Sequence, residues 1–150
     1  MQSTIINHGK VWLAPMAGYT DVSFRTLARS FGWNGLCFTE MINPQSIIMF
    51  FRKKKKKSGR LKALLETSDT DFPMAYQLYG NNPQEFLEAA CLLRDNYAAK
   101  WIDINMGCPQ RKIAGRKAGA GLLLDHNLAL SIVSLLKEKT SLVISVKIRL

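Results

Sequence analysis

The chain has 150 residues, 47% hydrophobic and 21% charged, with a formal net charge of +10. This balance excludes a disordered chain and is that of one packed domain. No apolar run reaches the roughly 18 residues of a membrane span, and residues 1–10 lack the apolar stretch of a secretory signal, so a cytoplasmic protein is expected.

Val11 to Met16 reads as a short buried strand. Thr20 or Asp21 can cap a helix that runs to about Phe31, with Gly32 as its stop. Leu36 to Thr39 is a second strand. Asn43-Pro44 opens an irregular stretch with a helix near Gln45 to Phe51, and Leu61 to Leu65 makes another helical turn. Pro73 precedes a third strand, Met74 to Leu78. Asn82 at the cap and Pro83 at the first helical position start a helix that ends near Asn96 and carries Phe86, Leu87, Ala90 and Leu93 on one face. Trp101 to Asn105 is a fourth strand, followed by a loop rich in Gly, Lys and Arg, Met106 to Gly121. Asp125 or Asn127 starts a helix through about Lys137, and Leu142 to Ile148 is a fifth strand.

Such alternation implies right-handed βαβ units on a parallel sheet. An open doubly wound sheet and part of a (β/α)8 barrel both fit. No Gly-rich dinucleotide fingerprint follows the first strand, which favours the barrel. The expectation is an α/β fold, a partial (β/α)8 TIM barrel of about five parallel strands and four helices. A complete barrel needs about 200 residues or more, so its C-terminal half is expected to be missing. The fifth strand would then be an uncovered apolar edge that invites self-association.

The chemistry-bearing residues fall at the C-terminal ends of the strands, where barrel active sites are built. Pro15, Met16 and Ala17 end the first, Glu40 the second and Gln77 the third; Asn105 and Cys108 follow the fourth, and Lys147 and Arg149 close the fifth. The cysteines at 37, 91 and 108 are odd in number and lack metal-ligand spacing, which argues against a disulfide framework or a zinc site. Cys37 in a strand and Cys91 on a helix read as structural. Cys108 sits in a Gly-Pro loop, and a thiol with the ordinary pKa of about 8.5 is mostly protonated at neutral pH and can serve as a general acid.

These residues carry a resemblance. Leu13-Ala14-Pro15-Met16-Ala17-Gly18-Tyr19-Thr20-Asp21, Phe38-Thr39-Glu40-Met41, Gln77-Leu78-Tyr79-Gly80, Asp103-Ile104-Asn105-Met106-Gly107-Cys108-Pro109 and Val146-Lys147-Ile148-Arg149 resemble, in order and spacing, the motifs of the tRNA-dihydrouridine synthases. The Asn-Met-Gly-Cys-Pro block is the most specific and speaks against another FMN barrel such as a dihydroorotate dehydrogenase. The resemblance implies reduction of uridine to dihydrouridine in tRNA, with FMN as cofactor and NADPH as reductant. It implies that Cys108 protonates C5 of the uracil while hydride from reduced flavin reaches C6. It places FMN against Pro15, Met16, Ala17, Gln77 and Lys147, and the uracil against Asn105. An amide can donate to and accept from a flavin edge, and a Lys suits its anionic reduced form. The family also implies that residues 1–150 are the N-terminal portion of the catalytic barrel, without the helical tRNA-binding domain, so that the chain alone would turn over little.

A polyanionic partner suits the charge, and tRNA is the one implied. Arg111, Lys112, Arg116 and Lys117, beside Cys108, can meet tRNA phosphates. Most of the net charge, however, comes from Arg52, Lys53 to Lys57, Arg60 and Lys62, and such a run reads first as a solvated loop. The alternative to an enzyme segment is a non-catalytic remnant or basic RNA-binding piece, and co-purifying yellow flavin discriminates between them.

Overall fold

The computed structural model describes residues 11–53 and 59–149. Four parallel strands form one sheet in sequence order: β1 (Cys37–Phe38), β2 (Met74–Leu78), β3 (Trp101–Met106) and β4 (Val143–Ile148). A doubly wound sheet reverses its strand order at a switch point; among the described residues the order runs β1-β2-β3-β4 without a reversal. Helices α1 (Val22–Ser30), α2 (Pro44–Lys53), α3 (Gly59–Leu65), α4 (Pro83–Tyr97), α5 (Arg111–Ala114) and α6 (His126–Lys139) fill the connections, with a 3-10 turn at Gly119–Leu124. The result is the α/β progression of a partial (β/α)8 barrel.

The expected first strand at Val11 to Met16 is corrected: only Leu13 pairs, through a single parallel bridge to Cys37. Its neighbours explain why. Pro15 has no N–H to add to a ladder, and the chain turns at once, with the Met16 carbonyl accepting from Tyr19 N–H and Thr20 N–H, both at 3.1 Å. The second strand is also shorter than Leu36 to Thr39. It is interrupted at Thr39, whose hydroxyl accepts from Gln77 N–H at 3.1 Å in place of a backbone carbonyl, before Ile42 pairs again with Leu78. The loop expected from Met106 to Gly121 is partly ordered: Met106 belongs to β3, and α5 and the 3-10 turn lie within the rest. Lys53 closes α2, and the run Lys54 to Lys57 lies outside the described residues.

The caps follow side-chain chemistry. Asp21, not Thr20, caps α1 by accepting from Phe24 N–H at 2.8 Å, while the Thr20 hydroxyl closes the preceding turn on Met16. Asn82 caps α4 with Pro83 in its first turn, and Asp125 rather than Asn127 caps α6 through Leu128 N–H.

Two faces of the sheet have different partners. Ile102, Ile104 and Met106 of β3 pack outward with Leu93 of α4 and Ile132 and Leu136 of α6. Trp101 packs on the opposite, inner side with Phe38 and Ala75, and Trp12 stacks edge-on against it at 5.7 Å between ring centroids. At the edge of the described sheet, Val146 and Ile148 of β4 are about half exposed. Among the described residues no helix is long and apolar enough to cross a membrane.

Candidate active site

Five chain segments converge on one cleft of about 190 Å³ at the C-terminal ends of the strands. Pro15 and Ala17 come from the turn after the Leu13 bridge, Met41 from the interruption after β1, and Gln77 from β2. Asn105 comes from β3 with Gly107, Cys108, Pro109 and Gln110 beyond it; Lys147 and Arg149 come from β4 and its end. Gly18, at φ +83°, donates its N–H to the Glu40 carboxylate, fixing that turn to the end of β1. Of the residues singled out from the sequence, Pro15, Ala17, Gln77, Asn105, Cys108, Lys147 and Arg149 share this cleft. Met16 is 39% exposed and does not line it.

Cys108 is half-buried, and its backbone is held from both sides. Its N–H donates to Asn105 Oδ1 at 2.9 Å, with Gly107 N–H donating to the same oxygen at 3.1 Å. Its carbonyl accepts from Ala120 N–H at 2.9 Å. The close approach requires Gly119, whose φ is +56° and where a Cβ would lie 2.8 Å from the Cys108 carbonyl oxygen. By contrast Cys37 is fully buried, and burial pushes its thiol pKa up.

A hydrogen-bond relay runs under the cleft. The Trp101 indole N–H donates to Ser145 Oγ at 2.9 Å, and Ser145 donates to Asp103 Oδ1 at 2.5 Å. Gln77 Nε2 donates to Asp103 Oδ2 at 2.6 Å, and Asn105 Nδ2 donates to Gln77 Oε1 at 3.0 Å. Burial pushes the Asp103 carboxyl above the ordinary aspartate pKa, against the lowering effect of the Gln77 and Ser145 hydrogen bonds and the Lys147 charge. Sequence reading left Asp103 and Gly119 without roles. The signal for Asp103 was present: a charged residue in an apolar run, two positions from Asn105 and so on the same strand face.

Arg111 and Lys112 are exposed on α5, and Arg116 and Lys117 are exposed just after it. Lys117 Nζ lies 3.6 Å from Asp125 Oδ2, so its charge is partly engaged. Among the described residues no three His, Cys, Asp or Glu side chains cluster to hold a metal ion.

The dihydrouridine synthase (Dus) family model matches residues 12–150. The chain is similar to a probable tRNA-dihydrouridine synthase of Rickettsia conorii, 36% identical over 138 residues that make up 92% of this chain and 39% of the relative. It is also 34% identical over 141 residues to a probable tRNA-dihydrouridine synthase of Helicobacter pylori, covering 93% of this chain and 40% of the relative. Against tRNA-dihydrouridine synthase B of Xanthomonas campestris it is 36% identical over 140 residues, again 93% and 40% of the two lengths. The chain thus spans about 40% of the length of the curated relatives it matches. With its motifs gathered on one rim of a parallel α/β sheet, the chain belongs to the dihydrouridine synthase family.

Proposed function

We propose that this chain supplies the flavin- and uracil-facing part of an FMN-dependent tRNA-dihydrouridine synthase, residues 1–150 being the N-terminal portion of its barrel domain. The observation behind this reading is the position of Cys108: held at both backbone ends, it lines the same cleft as Gln77, Asn105 and Lys147.

The donor set fits FMN. Lys147 is exposed at the cleft and, among the described residues, makes no direct ion pair, so its ammonium can meet the N1–C2=O edge of a reduced flavin. After its bonds to Asp103 and Asn105, Gln77 retains one N–H and one carbonyl lone pair for a ring edge. Pro15, Met16 and Ala17 offer the backbone of a tight turn. When bound, FMN supplies the hydride for C6 of the uracil, with NADPH as reductant. The Cys108 S–H bond breaks as its proton passes to C5, and the thiolate recovers a proton from solvent. Asn105 Oδ1 is committed to the Cys108 loop, so Asn105 serves the uracil with the amide hydrogen that now faces Met41 Sδ at 3.6 Å. Arg111, Lys112 and Arg116, exposed on and just after α5, face tRNA phosphates.

The test is an assay of unmodified tRNA with FMN and NADPH, with dihydrouridine read by mass spectrometry. In a protein carrying this segment, Cys108→Ala lowers turnover by about two orders of magnitude or more, while NADPH still reduces the flavin. Wild-type dihydrouridine yield from that variant refutes the assignment. A chain that binds tRNA but never flavin favours the non-catalytic RNA-binding reading.

A further inference from the structure

Asp103 is 2% exposed and lies outside the lining of the Cys108 cleft, yet the relay beneath that cleft passes through it. Each link has a donor sense. An indole N–H can only donate, so Ser145 accepts from Trp101 and its hydroxyl hydrogen goes to Asp103. Asp103 accepts at its other oxygen from Gln77 Nε2. That turns Gln77 Oε1 toward Asn105, which must answer with Nδ2 and so turns its own Oδ1 toward the loop. At the far end Gly107 and Cys108 present backbone N–H groups, which again only donate. Both ends of the relay therefore demand the same orientation of two side-chain amides, each of which has two nearly isosteric orientations when left alone.

We propose that Asp103 is a positioning residue that sets the amide orientation of Gln77 and, through it, of Asn105, so that Asn105 Oδ1 holds the backbone of Gly107 and Cys108. Its importance for the reaction rests on the reading of Cys108 as proton donor; the coupling itself does not. With Asp103 gone, Gln77 loses the acceptor that selects its orientation. If its amide turns over, Asn105 must follow, and an NH2 group then confronts two N–H donors. Asp103→Asn is a milder change, because the new amide can keep its oxygen on Gln77 and turn its nitrogen to Ser145 Oγ.

The experiment uses the 150-residue chain and two peptide-resolved mass-spectrometric readouts, amide hydrogen exchange at Gly107 and Cys108 and the rate of Cys108 alkylation by iodoacetamide. Cys37, fully buried, is the internal reference for unfolding. Asp103→Ala is expected to speed exchange at those two amides by about tenfold or more, and Asp103→Asn by less than about threefold. Gln77→Met, which keeps the shape and cuts the relay, reproduces the Asp103→Ala effect, and the double variant goes no further. Unchanged exchange in Asp103→Ala, or effects that add in the double variant, overturn the proposal. Should Asp103→Ala expose Cys37, the near-isosteric Gln77→Met carries the test, and unchanged exchange at Gly107 and Cys108 overturns the proposal there as well. Neither readout needs flavin or tRNA. A chain that makes no dihydrouridine leaves the coupling standing, and loss of the coupling leaves the proton-donor role of Cys108 standing.

Discussion

Replacing Gly119 by Ala presses a methyl group directly onto the Cys108 backbone. The added Cβ would sit 2.8 Å from the Cys108 carbonyl oxygen and 3.0 Å from both Cys108 Cβ and Ile113 Cγ2. Two costs combine. A left-handed backbone costs a non-glycine residue about 1–2 kcal/mol, and Gly119 stands at φ +56°. Forcing a methyl into occupied space costs about 1–3 kcal/mol more, because the carbonyl it meets is already held by Ala120 N–H at 2.9 Å. Gly32 isolates the first cost: its φ is +83°, and nothing lies within 4 Å of a Cβ there. Urea denaturation should therefore show a loss of about 1–2 kcal/mol for Gly32→Ala and about 2–5 kcal/mol for Gly119→Ala. Cys108 alkylation should change only in the second. Equal stability losses with unchanged Cys108 reactivity would refute the idea that Gly119 is required by its approach to Cys108.

Arg25 is 1% exposed and grips the fully buried Asp71 through Nε at 2.8 Å and Nη2 at 2.6 Å. Arg25→Ala strands that carboxylate and should cost about 3–5 kcal/mol in chemical denaturation; a loss below about 1 kcal/mol would contradict the pairing. Asp103 has a folded pKa raised above 3.8, so the fold binds its proton more tightly than the unfolded chain does. Its contribution is fully present below the unfolded value and is lost as pH rises through the folded one. Melting of wild type against Asp103→Asn should therefore shift in favour of the variant as pH climbs from about 4, and a pH-independent difference would count against the shift. Neutralising Arg111, Lys112 and Arg116 together should weaken tRNA binding and reduce its salt slope by roughly 0.7 to 0.9 per lost phosphate contact. Lys117, engaged with Asp125, should add less, and neutralising Lys53 to Lys57, read as a solvated run, should do less than the first three together; an equal or larger effect from that run would reverse this order.

What could be read from the sequence was mainly local. Asn82-Pro83 announced α4 because cap and first-turn chemistry are properties of adjacent residues. The run Met74 to Leu78, apolar except for Gln77 and preceded by Pro73, announced β2 in full. The Gly-Cys-Pro loop singled out Cys108 for the same reason. The pairing of Leu13 was less legible, since a run that looks like a strand becomes one only if its neighbours supply a ladder, and Pro15 and the turn at Met16 end it after one bridge. Long-range pairings were not legible at all. Nothing local shows that Gly119 meets Cys108, that Thr39 stands in for a carbonyl opposite Gln77, or that Asp103 joins Gln77 and Ser145 across three strands.

The alternation of β3 ties the site to the fold. Trp101, Asp103 and Asn105 share the inner face, while Ile102, Ile104 and Met106 pack into the core with α4 and α6. A slip of one residue exchanges the two sets. Asp103 would then enter the layer of Leu93, Ile132 and Leu136 as an unpaired carboxylate, at a cost of several kcal/mol, and an isoleucine would stand where Gln77 needs an acceptor. The relay that orients the Cys108 loop is thus also a device that rejects the wrong register. Its polar groups help specify the sheet through what they cost in any other arrangement. It follows that Asp103→Leu, which removes that cost, should weaken register specificity as well as the hold on Cys108, whereas Ile104→Val, on the opposite face, should lower stability by about 0.5–1.5 kcal/mol and leave the loop in place.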